Sequence, residues 1–134
     1  SKSPTYFSEI GYSYSKLNDF DNSLKYYRLA QENRANMGTD DQGGARPAPD
    51  FSNMIGYVLM KKGQLDEATT ALEAALQFNK LDPVANFSLG EIAMLRGDYI
   101  KAADYFKVVA NDPVYQEPVK KYYAQIEEKL FAGI

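Results

Sequence analysis

PVANFSLGEIAMLRGDYIKAADYFKVVANDPVYQ, residues 83–116, reads as two short helices folded back on each other. Leu89, Gly90, Ala93 and Met94 fall on one side of the first pattern, Gly97-Asp98 break it, and Tyr99, Ala102, Phe106 and Val109 mark one side of the second. Small residues therefore stand where two helices must touch. The same pattern occurs earlier in the chain. The glycine positions give 90 − 56 = 34, and Gly97 with Gly63, Ala102 with Ala68, and Pro83 with Pro49 keep that offset. A fixed period of this length is the signature of a helical repeat array.

Upstream, a helix is expected from Pro4 to Leu17, because Phe7, Ile10, Gly11 and Tyr14 follow the i, i+3, i+4, i+7 spacing of one buried stripe. Asn18-Asp19 interrupt it, and a second pattern runs from Phe20 through Ser23, Leu24, Tyr27 and Ala30, on to Ala35. Aligning Gly11 with Gly56 gives 56 − 11 = 45, one period of 34 plus 11 inserted residues. The insertion lies in NMGTDDQGGARPAPD, residues 36–50, whose three glycines, two prolines and acids cannot sustain a helix. It is either a tolerated spacer or a flap over a binding groove.

The middle pair spans 50–62 and 65–79, with Pro49 opening it and Gly63 closing its first helix. Asp66-Glu67 favour the amino end of the second helix through its dipole, and Leu65, Ala68, Leu72, Ala75 and Leu76 form its apolar stripe. Beyond Asp112-Pro113 the pattern changes. Val119, Tyr122, Tyr123, Ile126 and Leu130 make one apolar face, and Lys120, Lys121, Glu127, Glu128 and Lys129 a solvated one, as the last helix of an array requires. The expected organisation is a single all-α domain over 1–134 with seven helices: repeats at about 4–37, 49–82 and 83–116, and a capping helix at about 117–131.

Composition narrows the chemistry. The 134 residues include 45% hydrophobic ones, enough for one unaided core. A formal charge of −3 argues against nucleic acid, whose phosphates need a basic face. With no histidine and no cysteine, Ser-His-Asp and Cys-His catalysis, imidazole metal sites and disulfides are all ruled out. There is no apolar run long enough for a bilayer, so no membrane insertion is expected. The start SKSPTYF lacks an initiating Met and a signal-peptide core, which favours a piece of a longer protein and leaves the compartment open.

These residues together resemble the tetratricopeptide repeat. The second unit supplies Ile55-Gly56, Leu59, Gly63, Leu65, Ala68, Leu72 and Ala75, and the third Leu89-Gly90, Ala93, Gly97, Tyr99, Ala102, Phe106 and Val109. The first supplies Phe7, Ile10-Gly11, Tyr14, Phe20, Tyr27 and Ala30, departing from the pattern with Asn18 for the turn glycine and Ser23 for alanine. The resemblance implies a right-handed superhelix of three helix-turn-helix repeats plus a cap. Its first helices would line a concave groove that holds a peptide or helix of a partner protein. The function implied is non-enzymatic protein binding, as an adaptor or assembly scaffold, with no cofactor. The alternatives are a self-association module forming a homo-oligomer, or the regulatory domain of a larger enzyme in which Glu91 acts on a small ligand.

Projecting each first helix away from its packed stripe places Thr5, Ser8, Tyr12 and Ser15, then Asp50, Asn53, Tyr57 and Met60, then Val84, Phe87, Glu91 and Met94 on the groove, with Lys121 and Gln125 closing its far end. The expected partner-binding set is Ser8, Tyr12, Asn53, Tyr57, Met60, Phe87, Glu91 and Met94. Tyr suits recognition surfaces and Met adapts to varied apolar shapes. Phe87 and Met94 are equally suited to packing between helices. Some chaperone-binding members of the family hold a terminal carboxylate with Lys, Asn and Arg. Here those positions carry Ser8, Tyr12, Met54, Val84 and Ser88, so that clamp is absent. Asn18-Asp19-Phe20-Asp21 lack the central Gly and terminal Glu of a calcium loop and read as a solvated helix junction. In Lys120-Lys121-Tyr122-Tyr123, helical spacing turns the tyrosines to the core and the lysines to water.

Overall fold

Three left-handed residues, Asn18, Gly63 and Gly97, set the geometry of the array. The computed structural model describes residues 3–37, 41–44 and 48–132. These form α1 (Pro4–Lys16), α2 (Phe20–Glu32), α3 (Ser52–Lys61), α4 (Leu65–Phe78), α5 (Pro83–Leu95), α6 (Tyr99–Val109) and α7 (Gln116–Phe131). No strand occurs among the described residues. At the ends of α1, α3 and α5, Asn18, Gly63 and Gly97 have φ of 60°, 81° and 75°. The next residue's N–H then reaches back into the helix, from Asp19 to Tyr14 (3.0 Å), Gln64 to Leu59 (3.0 Å) and Asp98 to Ala93 (2.9 Å). The left-handed residue itself donates to Ser15 (3.0 Å), Met60 (2.9 Å) or Met94 (3.1 Å). This paired bonding is the Schellman motif, repeated three times, and it returns each second helix along its first. Asn18 replaces glycine because its short amide side chain tolerates positive φ.

Helix starts are capped as the sequence provides. Asp19, Asp82 and Asp98 accept from the amides of Asn22 (3.2 Å), Ala85 (2.9 Å) and Lys101 (3.3 Å), and Ser3 Oγ accepts from Tyr6 N–H (3.2 Å). Within each pair a buried glycine faces a bulky side chain of the second helix: Gly11 meets Tyr27, Gly56 meets Leu72 and Gly90 meets Phe106. In the first pair the buried Ser23 donates its hydroxyl to the Gly11 carbonyl at 2.7 Å. That bond satisfies the group that an alanine would lack.

α2 packs on α3, α4 on α5, α3 on α5 and α6 on α7, and side chains of α1, α3, α5 and α7 border one shared cavity. Leu24, Tyr27, Val58, Leu72 and Ile92 belong to one apolar core, and Phe106, Val109, Val119 and Ile126 to a second beneath α7. The apolar face of α7 fades at Leu130, which is 43% exposed rather than buried.

The first two pairs join through a polar knot rather than a short linker. Gln31 Nε2 donates to Asp50 (2.9 Å), Phe51 N–H donates to Gln31 Oε1 (2.8 Å), and Arg34 lies 3.9 Å from Asp50. Asp50 also accepts from Ser52 N–H (3.2 Å) and Oγ (3.0 Å), so α3 begins at Ser52 and not at Asp50. α2 likewise stops at Glu32, short of Ala35, where Asn33 Nδ2 donates back to the Leu29 carbonyl (2.8 Å). Of the expected loop at 36–50, residues 38–40 and 45–47 lie outside the described residues.

Candidate partner-binding groove

Residues four apart on a helix share a face, and 8/12, 53/57 and 87/91 are such pairs on α1, α3 and α5. They border an open cavity of about 1130 Å³, which Tyr115, just before α7, and Tyr122, within α7, also line. A second cavity of about 500 Å³ adjoins it, lined by Met60, Met94, Leu95 and Tyr99. Glu91, Lys61 and Tyr122 border both.

The eight expected residues divide by chemistry. Ser8, Tyr12, Asn53, Tyr57, Phe87 and Glu91 border the larger cavity, and Met60, Met94 and again Glu91 the smaller. Tyr12, 50% exposed, offers the largest open ring. Met60 is only 8% exposed and belongs to the core, where it offers little surface. Ser8 turns its hydroxyl to the Thr5 carbonyl at 2.9 Å. Asn53 donates to Asp82 at 3.0 Å and accepts from Met54 N–H at 2.8 Å, so its amide links α3 to the start of α5. Phe87 is wedged among rings, with centroids 4.6 Å from Tyr115, 5.5 Å from Phe106 and 6.0 Å from Tyr122. It serves as both core and groove floor. Of the residues expected to close the far end, Gln125 lines the smaller cavity, whereas Lys121 is exposed and borders neither.

Glu91 accepts the Tyr122 hydroxyl at 2.6 Å, and the Tyr122 ring stacks on Phe106 at 4.7 Å with an interplanar angle of 10°. Burial, and then this bond to the carboxylate, push the Tyr122 hydroxyl well above the ordinary tyrosine range. Burial raises Tyr27 to about 12, and burial followed by the nearby Asp112 charge raises Tyr115. These tyrosines are therefore neutral donors at physiological pH. Asp19 spends one carboxylate oxygen on the Asn22 amide N–H and the other on its side chain (2.8 Å), and Asp21 pairs with Lys62 at 2.7 Å. The acids at this junction cap a helix and bridge helices.

Among the cavity-lining residues outside the expected set are Lys16, Lys61, Tyr115 and Tyr122. The Lys16 ammonium stands 5.1 Å from the Tyr12 ring centre and that of Lys61 5.6 Å from Tyr57. The signal was present, since Tyr12-Ser-Tyr-Ser-Lys16 and Tyr57-Val-Leu-Met-Lys61 share the spacing and lie one aligned repeat apart. For Tyr122 the apolar pattern of α7 showed packing but not that the ring borders the groove, and Tyr115, which precedes that helix, lay outside the pattern.

No helix among the described residues is long and apolar enough to cross a membrane. No curated protein matches the chain. Two family models, each described as tetratricopeptide repeat, match residues 53–115 and 5–37, the segments on either side of the insertion. Such repeats are generally protein–protein interaction modules. With its helix pairs, repeated turns and matching segments in agreement, the chain belongs to the tetratricopeptide repeat family.

Proposed function

We propose that this chain is a non-enzymatic adaptor or scaffold that holds a peptide or helix of a partner protein along its odd-numbered helices. The observation that carries this reading is the open cavity of about 1130 Å³ bordered by Tyr12, Tyr57, Phe87, Tyr115 and Tyr122. Rings of this kind supply large contact area at little entropic cost, and apolar burial contributes about 25 cal/mol per Å². A catalytic alternative would need convergent acids. Here Asp50 is occupied by Gln31, Ser52 and Arg34, and Glu91 is bonded to a tyrosine.

The test is capture of partners from the source cells by the parent chain and by Tyr12→Ala plus Tyr57→Ala. These two are preferred to any variant at Phe87, whose truncation would also empty the core beside Phe106. A Lys107→Ala control alters the exposed side of α6. Loss of a partner by the double variant alone, with unchanged circular dichroism, supports the groove. Retention of every partner sinks it and moves binding to another face or to the 36–50 loop.

A further inference from the structure

The groove is built from repeats, yet its chemistry does not repeat. At equivalent positions α1 carries Tyr12 and Lys16, α3 carries Tyr57 and Lys61, and α5 carries Glu91 and Leu95. The offsets are 57 − 12 = 45 and 61 − 16 = 45 for the first step, and 91 − 57 = 34 and 95 − 61 = 34 for the second. Both lysines are exposed, each lies over its own tyrosine ring, and neither has a carboxylate partner among the described residues. Of the acids that share a cavity with them, Asp50 is already engaged, Glu91 is bonded to Tyr122, Glu9 stands about two turns from Lys16 along α1, and Glu128 belongs to α7. The carboxyl ends of α1 and α3 thus form a cationic edge.

At α5 the sign reverses. Glu91 uses Oε2 for the Tyr122 hydroxyl, and its other oxygen has no bond among the described residues. Beside it the smaller cavity of about 500 Å³ presents Met94, Leu95 and Tyr99, with Leu95 71% exposed. An acid and a base of α7, Glu128 and Lys129, also line it.

Resting on the groove reading above, we infer that the concave face takes its partner segment in one direction. Acidic side chains of the partner lie over the Tyr12/Lys16 and Tyr57/Lys61 pairs, an apolar side chain enters the cavity at Met94 and Leu95, and a cationic side chain meets Glu91. Charge here sets orientation and partner choice, whereas the rings supply contact area. Reversing the partner would set its acids against Glu91 and its base against the two lysines.

The experiment selects binders for the whole chain from a displayed library of random 16-residue peptides. The best binder is then synthesised with a fluorescent label, beside a version in which its acids and bases are exchanged. The expected binders carry acids at one end and an apolar residue followed by Arg or Lys at the other. Exchange of charges should weaken anisotropy-measured affinity about tenfold. The Lys16→Glu plus Lys61→Glu chain should lose about tenfold on the original peptide and favour the exchanged one. Glu91→Gln, which keeps an acceptor for Tyr122, should lose affinity only for peptides with the cationic end. Binders without charge order, or a lysine double variant that holds the original peptide as tightly as the parent, would overturn the inference and leave the groove standing. Binders indifferent to Tyr12→Ala plus Tyr57→Ala, or no binders at all, would overturn both.

Discussion

Replacing Gly90 by alanine adds one methyl group at the point where α5 crosses α6. That methyl would stand 2.7 Å from Cδ1 of Phe106 and nearer still to Cε1, where carbon atoms prefer about 3.5–4.0 Å. Phe106 has no room to yield. It is 0% exposed, stacked on Tyr122 at 4.7 Å and flanked by Phe87 at 5.5 Å. Overpacking of this sort costs about 1–3 kcal/mol, and the helix preference of alanine over glycine returns about 1 kcal/mol. The close approach places the strain at the upper end, for a net loss of about 1–2 kcal/mol. For a chain of this size that is a fall in Tm of roughly 3–10 °C, read by thermal melts in far-ultraviolet circular dichroism. Gly56→Ala should fall with it, because its methyl would meet Leu72 Cγ at 2.5 Å and the Ala68 carbonyl at 3.2 Å. Gly11→Ala is the internal control. There the Tyr27 ring atoms are 3.1 Å away, a gap that a shift of tenths of an ångström relieves, so propensity and crowding should cancel to within about 0.5 kcal/mol. A Gly90→Ala chain that melts at or above the parent, or a Gly11→Ala chain that loses as much, would refute the packing described for the pairs.

Three further outcomes are expected. Ala102→Leu, at a site with 0% exposure, should destabilise by about 1–3 kcal/mol through overpacking, and an unchanged urea midpoint would contradict the α5–α6 contact. The fold keeps the Tyr122 hydroxyl protonated above its ordinary value of 10.0, so that stability is intact below this pH and fades as the pH rises past it, where the unfolded chain ionises first. Melting temperature should therefore drop as the pH rises above about 10, and less steeply in Tyr122→Phe; equal slopes would remove the buried Tyr122 hydroxyl from the explanation. Limited proteolysis should cut first between residues 38 and 48, where glycines and prolines cluster. First cuts within α5 or α6 would speak against the array order.

Regularity made the fold readable. The small residues 11, 56 and 90 recur because a large neighbour must nest at each, and the turns at 18, 63 and 97 recur because the chain must reverse there. Both demands leave a mark on residue type. Even Asn18, an irregular choice, is one of the few side chains that can occupy its conformation. The groove was less readable, since a helical projection says which way a side chain points and not what it meets on arrival. Asn53 borders the larger cavity, but no projection could show that Asp82, 29 positions away, takes its amide. Met60 shares its helix side with Tyr57 yet sinks into the core beside Leu59 and Ile92, because neighbouring repeats close over it. The Glu91–Tyr122 bond joins positions 31 apart on helices of different type, and no periodicity predicts such a pair.

The knot of Gln31, Arg34, Asp50 and Phe51 also has an architectural consequence. It fixes where the chain re-enters the array, whatever path is taken beforehand. The spacing of the first two repeats is thereby uncoupled from the length of the segment between them. Closing a longer loop costs only about 0.6 kcal/mol per doubling of its length, so a tag, a sensor peptide or a whole small domain spliced into the sequence ahead of Asp50 is expected to leave the helices on either side in register.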